Sequence, residues 1–171
     1  LNQKSKQMET QLTIKHLAAY FPYGLKILRP DNKTILEMVG IIGSSIVFHE
    51  ESGDTFGFIG KHNKPILRPL SDLTKEIEVN GEKFIPIMVL FGGETYREYD
   101  FTIGIVEKPI IGKFIDISVK GLGDHCITFG LKNPLNNNLT YHNWSLLHEW
   151  NFDLYGLIPA GLAIDINTLE R

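Results

Sequence analysis

The chain has 171 residues, of which 43% are hydrophobic and 22% charged, with a formal net charge of −3. Such a chain can bury roughly 70% of its unfolded surface, and it has too many apolar residues for disorder and no apolar run of the ~18 residues a membrane-spanning helix requires. Its lone cysteine, Cys126, excludes an internal disulfide and a multi-thiolate zinc site, and its weakly acidic balance lacks the positive field that drives non-specific binding to duplex DNA.

Residues 1–7, polar and lysine-bearing without an apolar h-region, read as a disordered tail or a cloning remnant rather than a signal peptide. From Leu12 to Phe21 the apolar residues Ile14, Leu17, Ala18 and Phe21 recur at helical spacing. Thr13 stands at the N-cap, and Leu12 is placed to staple onto Leu17. Pro22 stops that helix. Tyr23-Gly24 and Pro30-Asp-Asn-Lys33 supply turns on either side of a strand around Leu25–Arg29, which starts a hairpin. Two strands, 34–42 and 45–50, then flank the turn at Gly43, and 55–60 and 64–68 read as further short strands. This succession suits a small SH3-like barrel or a strongly bent antiparallel sheet.

Ser71 is placed to cap a short helix that starts at Asp72 and ends near Ile77. Asn80-Gly81 is a type I′ hairpin signal that sets Glu78 opposite Lys83 and Ile77 opposite Phe84. Glycines then punctuate residues 91–140, where 101–106, 113–119 and 126–129 read as strands. Leu147, Trp150, Leu154 and Leu157 mark a last helix from about Asn143 to Tyr155, followed by an extended or turn segment over 160–169. The fold class is therefore α+β: one domain over 8–171, with a helix and small barrel over 8–90, a β-rich insertion over 91–140 and a C-terminal helical segment over 141–171 that packs back.

Few residue groups point to chemistry. Asp124, His125 and Cys126 are consecutive, and neighbours on a strand face opposite ways. His142 and His148, with Glu149, do not share a helical face, so neither set suits a metal ion. Cys126 sits in the apolar strand pattern Cys-Ile-Thr-Phe, where a thiol acts as a small buried hydrophobe rather than a nucleophile. No nucleophile elbow, phosphate-binding loop or zinc helix motif is present. The expectation is a protein without catalytic residues, metal or cofactor. Arg68, Asp72, Lys75, Glu76, Glu78, Glu82 and Lys83 read as solvated charges pairing weakly.

Two binding surfaces stand out instead. Trp144, Trp150, Phe152 and Tyr155 put four aromatic residues on one short helix, more than a single face can hide, and aromatic residues anchor protein interfaces. Lys61, Lys64 and Arg68, with His62 and near Phe56 and Phe58, form a modest basic and aromatic cluster of the kind that contacts single-stranded nucleic acid.

Three stretches also resemble other proteins: Leu12-Thr-Ile-Lys-His-Leu-Ala-Ala-Tyr-Phe-Pro-Tyr-Gly-Leu25, then Ile66–Ile77 with Asn80-Gly-Glu-Lys-Phe84, then Leu146–Ile158 with Gly161–Thr168. Together, over about half the chain, they resemble a group of short uncharacterised proteins encoded in phages and prophages. Residues 88–140 have no counterpart in the short members of that group. The resemblance implies a phage-derived accessory protein acting in the cytoplasm of a bacterial host, away from membranes, by binding a host protein such as a defence effector or ribonucleoprotein. An anti-CRISPR protein is one specific form; a nucleic-acid-binding barrel and a virion structural protein are the alternatives.

Overall fold

A computed structural model describes residues 11–43, 45–50, 53–58, 62–91, 100–108, 112–120 and 141–169. The chain has mixed α and β content and divides into two compact units, Leu1–Leu67 with Gly156–Arg171, and Arg68–Tyr155.

In the first unit, α1 covers only Ile14–Leu17. Thr13 takes an extended N-cap backbone, and its N–H donates to His16 Nδ1 at 3.1 Å, so a histidine fills the reciprocal position of a capping box usually held by Glu or Gln. The helix is shorter than its apolar spacing suggests because Phe21–Tyr23 tightens into a 3-10 turn that Gly24 closes at φ +67°. Leu12, Leu17 and Tyr20 are buried.

Strand β1 (Lys26–Leu28) then pairs antiparallel with β2 (Ile35–Ile42) in the register Lys26↔Glu37, Ile27↔Leu36 and Leu28↔Ile35. The turn between them is built by Asp31. Its Oδ1 accepts the N–H groups of Lys33 and Thr34 at 2.9 Å each, and its Oδ2 accepts the Thr34 hydroxyl. These bonds favour the ionised carboxylate, chiefly the one from the Thr34 hydroxyl, and hold Asp31 at a pKa of about 2.

Strands β3 (Ser45–Glu50) and β4 (Gly53–Phe58) extend the sheet by antiparallel pairing. On its other side, β5 (Lys64–Leu67) pairs antiparallel with β1, and β10 (Ile164–Asp165) pairs parallel with β5. The sheet has six strands in the order β10-β5-β1-β2-β3-β4; it is open, with no pairing of β10 to β4, so no closed barrel forms among the described residues. Met38, Ile46, Phe48 and Ile27 are all but fully buried and fill its core.

The second unit begins with a 3-10 turn, Leu70–Thr74, whose N-cap position is Pro69. Ser71 is exposed inside that turn and caps nothing, a correction to the expected cap at Asp72. Nor does a helix run on to Ile77: Lys75 is extended, its N–H closes onto the Asp72 carbonyl at 3.1 Å, and Ile77 belongs to a strand. The Asp72 carboxylate is buried and pairs with Lys75 Nζ at 2.7 Å. Strands β6 (Ile77–Val79) and β7 (Glu82–Phe84) form the expected hairpin, Glu78↔Lys83 and Ile77↔Phe84, with Asn80 at φ +53° and Gly81 at φ +84°.

Helix α2 (Pro86–Phe91), absent from the sequence reading, starts with proline at the position where its missing N–H is harmless. Strands β8 (Asp100–Lys108) and β9 (Gly112–Lys120), nine residues each, pair antiparallel within the anticipated β-rich region. The expected strand over 126–129, with Asp124, His125 and Cys126, lies outside the described residues.

Helix α3 covers Tyr141–Glu149, ending well before the expected Tyr155. Asn151 enters the left-handed region at φ +57°. Its N–H donates to the His148 carbonyl at 2.9 Å, and the Phe152 N–H donates to the Leu147 carbonyl at 3.0 Å. These are the two bonds of a Schellman closure, completed by the apolar pair Leu147 and Phe152, which belong to one core cluster. The chain beyond α3 then bridges Arg68: the Arg68 N–H donates to the Asn151 carbonyl at 2.7 Å, and the Asp153 N–H donates to the Arg68 carbonyl at 2.8 Å. The core of this unit gathers Leu73, Ile77, Ile87, Leu90, Leu147, Trp150, Phe152 and Leu154.

Candidate functional site

The early end of α3 decides the fate of the four aromatic residues. Because the chain turns at Asn151, Phe152 swings into the core instead of continuing along a helical face. Trp150 is 6% and Phe152 0% exposed, with Trp150 packed on Phe84 at a ring-centroid distance of 4.9 Å. Those two pack inside the core of this unit. Trp144 and Tyr155 remain half-buried against the same core. Between them lies His148, stacked on Trp144 at a ring-centroid distance of 5.7 Å and tilted against Tyr155 at 6.3 Å, with Nδ1 at 2.9 Å from the Trp144 carbonyl. Burial pushes the His148 pKa down, opposed in part by that carbonyl, and pushes the Tyr155 hydroxyl up.

Among the basic residues, Lys61 lies outside the described residues. Lys64 is half-buried on β5, opposite Leu28 of β1. Arg68 is half-buried in the second unit, where its backbone forms the bridge to Phe152. Phe56 and Phe58 stand on β4 in register with Val47 and Ser45. His142 is exposed near the start of α3. Among the described residues, no three His, Cys, Asp or Glu side chains gather as a metal site, and no helix is long and apolar enough to cross a membrane.

The surface that sequence reading missed lies on β2. Along this strand Leu36 and Met38 turn inward, while Ile35, Glu37 and Val39 turn outward, as the two-residue period of a strand demands. A bulge between Met38 and Gly40 then shifts the register, so that Ile42 pairs with Ser45 and also faces out. Ile35, Val39 and Ile42 are 43%, 40% and 62% exposed. Single exposed apolar side chains are ordinary. Three on one strand, spread over ~20 Å at ~3.3 Å per residue, make a stripe. Its one charge, Glu37, stands opposite Lys26 in the ladder. The alternation at Ile35, Glu37 and Val39 was the available signal; the apolar Leu36, Met38 and Ile41 between and beyond them obscured it.

No family model matches the chain, and neither a curated protein nor a solved structure matches it.

Proposed function

We propose that the chain is a phage-derived accessory protein that binds a protein of the bacterial host, in the host cytoplasm and without catalysing a reaction, and that it opposes host defence in the manner of an anti-CRISPR protein. The observation that carries the binding reading is the stripe of Ile35, Val39 and Ile42 on the outer face of the sheet. These side chains are about half exposed, so covering each one would gain roughly 1 kcal/mol, about half of what a fully exposed aliphatic side chain gains on burial. The phage and defence parts of the reading rest on the sequence resemblance and on analogy. Within the reading, the six-stranded sheet is a strongly bent platform of the SH3-like kind, presenting one face outward.

The experiment is co-purification of the tagged chain from its natural bacterial host, with mass spectrometry of purified phage particles alongside. A stoichiometric host protein supports the reading. Recovery of the chain alone contradicts it, and its presence in the particles reassigns it as a virion component.

A further inference from the structure

Asn80 and Gly81 form the only Asn-Gly pair in the chain, and both stand exposed at the tip of the β6–β7 hairpin, between the closing partners Val79 and Glu82. Asn-Gly is the dipeptide most open to spontaneous deamidation, because glycine has no side chain to shield its backbone nitrogen. In that reaction the Gly81 nitrogen attacks the Asn80 side-chain carbonyl carbon, the nitrogen's proton and the side-chain NH2 leave together as ammonia, and a five-membered succinimide closes. Water then opens the ring at either carbonyl, giving an aspartyl chain or an isoaspartyl chain whose backbone runs through the former side chain. A Cβ built at Gly81 would meet nothing within 4 Å, so the tip has room for the ring and for water.

The closed hairpin withholds this reaction. Asn80 at φ +53° and Gly81 at φ +84° are the central residues of a type I′ turn. Such a turn mirrors type I, so ψ of its first central residue is roughly +30°. About the bond from Cα to the carbonyl carbon, that ψ turns Asn80 Cβ to the far side from the Gly81 nitrogen, whereas ring closure needs the two nearly eclipsed. Reaching that geometry means rotating the peptide plane between them, which the pairing of Val79 with Glu82 and of Glu78 with Lys83 holds in place. Asn80 therefore reacts only when the tip opens, at a rate set by the population of open hairpins.

The two products return differently. Aspartate tolerates the left-handed region as asparagine does, so the aspartyl chain can re-form the turn. The isoaspartyl chain carries an extra backbone carbon in a loop whose length sets the register of the strands. That register puts buried Ile77 opposite Phe84, which packs on Trp150 at a ring-centroid distance of 4.9 Å.

We propose that Asn80 is a deamidation site that the type I′ turn keeps unreactive while the hairpin is closed, and that isoaspartyl formation after opening prevents the hairpin from closing again in its native register. This uses nothing from the outer face of β2, so it and the protein-binding reading stand or fall separately.

The test holds the full chain at mildly alkaline pH in native buffer and in guanidinium chloride, and follows the peptide around Asn80 by chromatography and mass spectrometry. In guanidinium the peptide should gain the mass that separates acid from amide and split into aspartyl and isoaspartyl forms. In native buffer the same conversion should be at least roughly tenfold slower, because closed hairpins predominate. Gly81→Ala, followed in guanidinium where folding plays no part, should slow it severalfold. The isoaspartyl chain, isolated and returned to native buffer, should unfold at a lower urea midpoint than Asn80→Asp, which keeps the ordinary backbone. An Asn80 unchanged in guanidinium, equal rates in the two buffers, no slowing by Gly81→Ala, or an isoaspartyl chain as stable as Asn80→Asp would each overturn the proposal.

Discussion

On β2, Ile35, Val39 and Ile42 face solvent, whereas in the Arg68–Tyr155 unit Trp150 and Phe152 are buried, although large aromatic residues are the commoner interface anchors. The contrast comes from what each backbone does next. A strand has two faces and cannot turn a side chain from one to the other without a bulge, so outward residues of β2 stay outward unless another layer covers them. A helix end can redirect its next residue, and the closure at Asn151 carries Phe152 inward. Exposed apolar surface is therefore found on the sheet rather than at Trp150 and Phe152, although the bare sequence favours the aromatic set.

The largest effect that separates the two regions is on stability. Phe152→Ala should lower unfolding stability by about 3–5 kcal/mol, the usual range for a fully buried phenylalanine. Ile42→Ala should change it by no more than about 0.5 kcal/mol. Urea unfolding of the two variants, followed by tryptophan fluorescence and by circular dichroism, gives the comparison, and similar losses would erase it.

Next in size is the core side of the same sheet. A methyl group added at Gly57 would overlap Phe48 Cε2 and approach Asn63 Nδ2 at 2.9 Å. Gly57→Ala should accordingly cost about 1–3 kcal/mol by overpacking. A neutral result in the same unfolding assay would mean that Phe48 can move aside and that the inner face is loosely packed.

The closure that turns Phe152 inward is probed at Asn151. Asn151→Ala should cost about 1 kcal/mol, because alanine resists the left-handed region, while Asn151→Gly should be neutral or stabilising. Thermal melts of the pair would show the opposite order if α3 ended for some other reason.

The smallest effect depends on pH. Burial lowers the His148 pKa below 6.5, so the unfolded chain binds a proton more readily than the folded one. The contribution of neutral His148 is complete above 6.5 and is lost as pH falls through the lowered folded value. His148→Gln should therefore flatten the stability profile between pH ~7.5 and ~5, and an unchanged profile would show that His148 does not titrate with unfolding.

How much of this was legible in the sequence depends on how local each signal is. The Asn80-Gly81 hairpin was legible to the register and the Asp31 hairpin as a turn between strands, because turn residues and alternation act within a few positions. The parallel pairing of Ile164 with Ile66 was not, since a two-residue strand has no pattern of its own. The end of α3 was misplaced because Leu154 and Leu157 happen to continue the helical spacing of Leu147 and Trp150; the Asn151-Phe152 closure carried the true signal.

The most direct measurement compares capture of the host partner by the unsubstituted chain, by Ile42→Asp and by Trp144→Ala, each first shown to unfold at the same urea midpoint. If the outer face of β2 is the binding surface, Ile42→Asp abolishes capture and Trp144→Ala retains it. Capture that survives Ile42→Asp and is lost with Trp144→Ala would contradict the account and return the interface to α3.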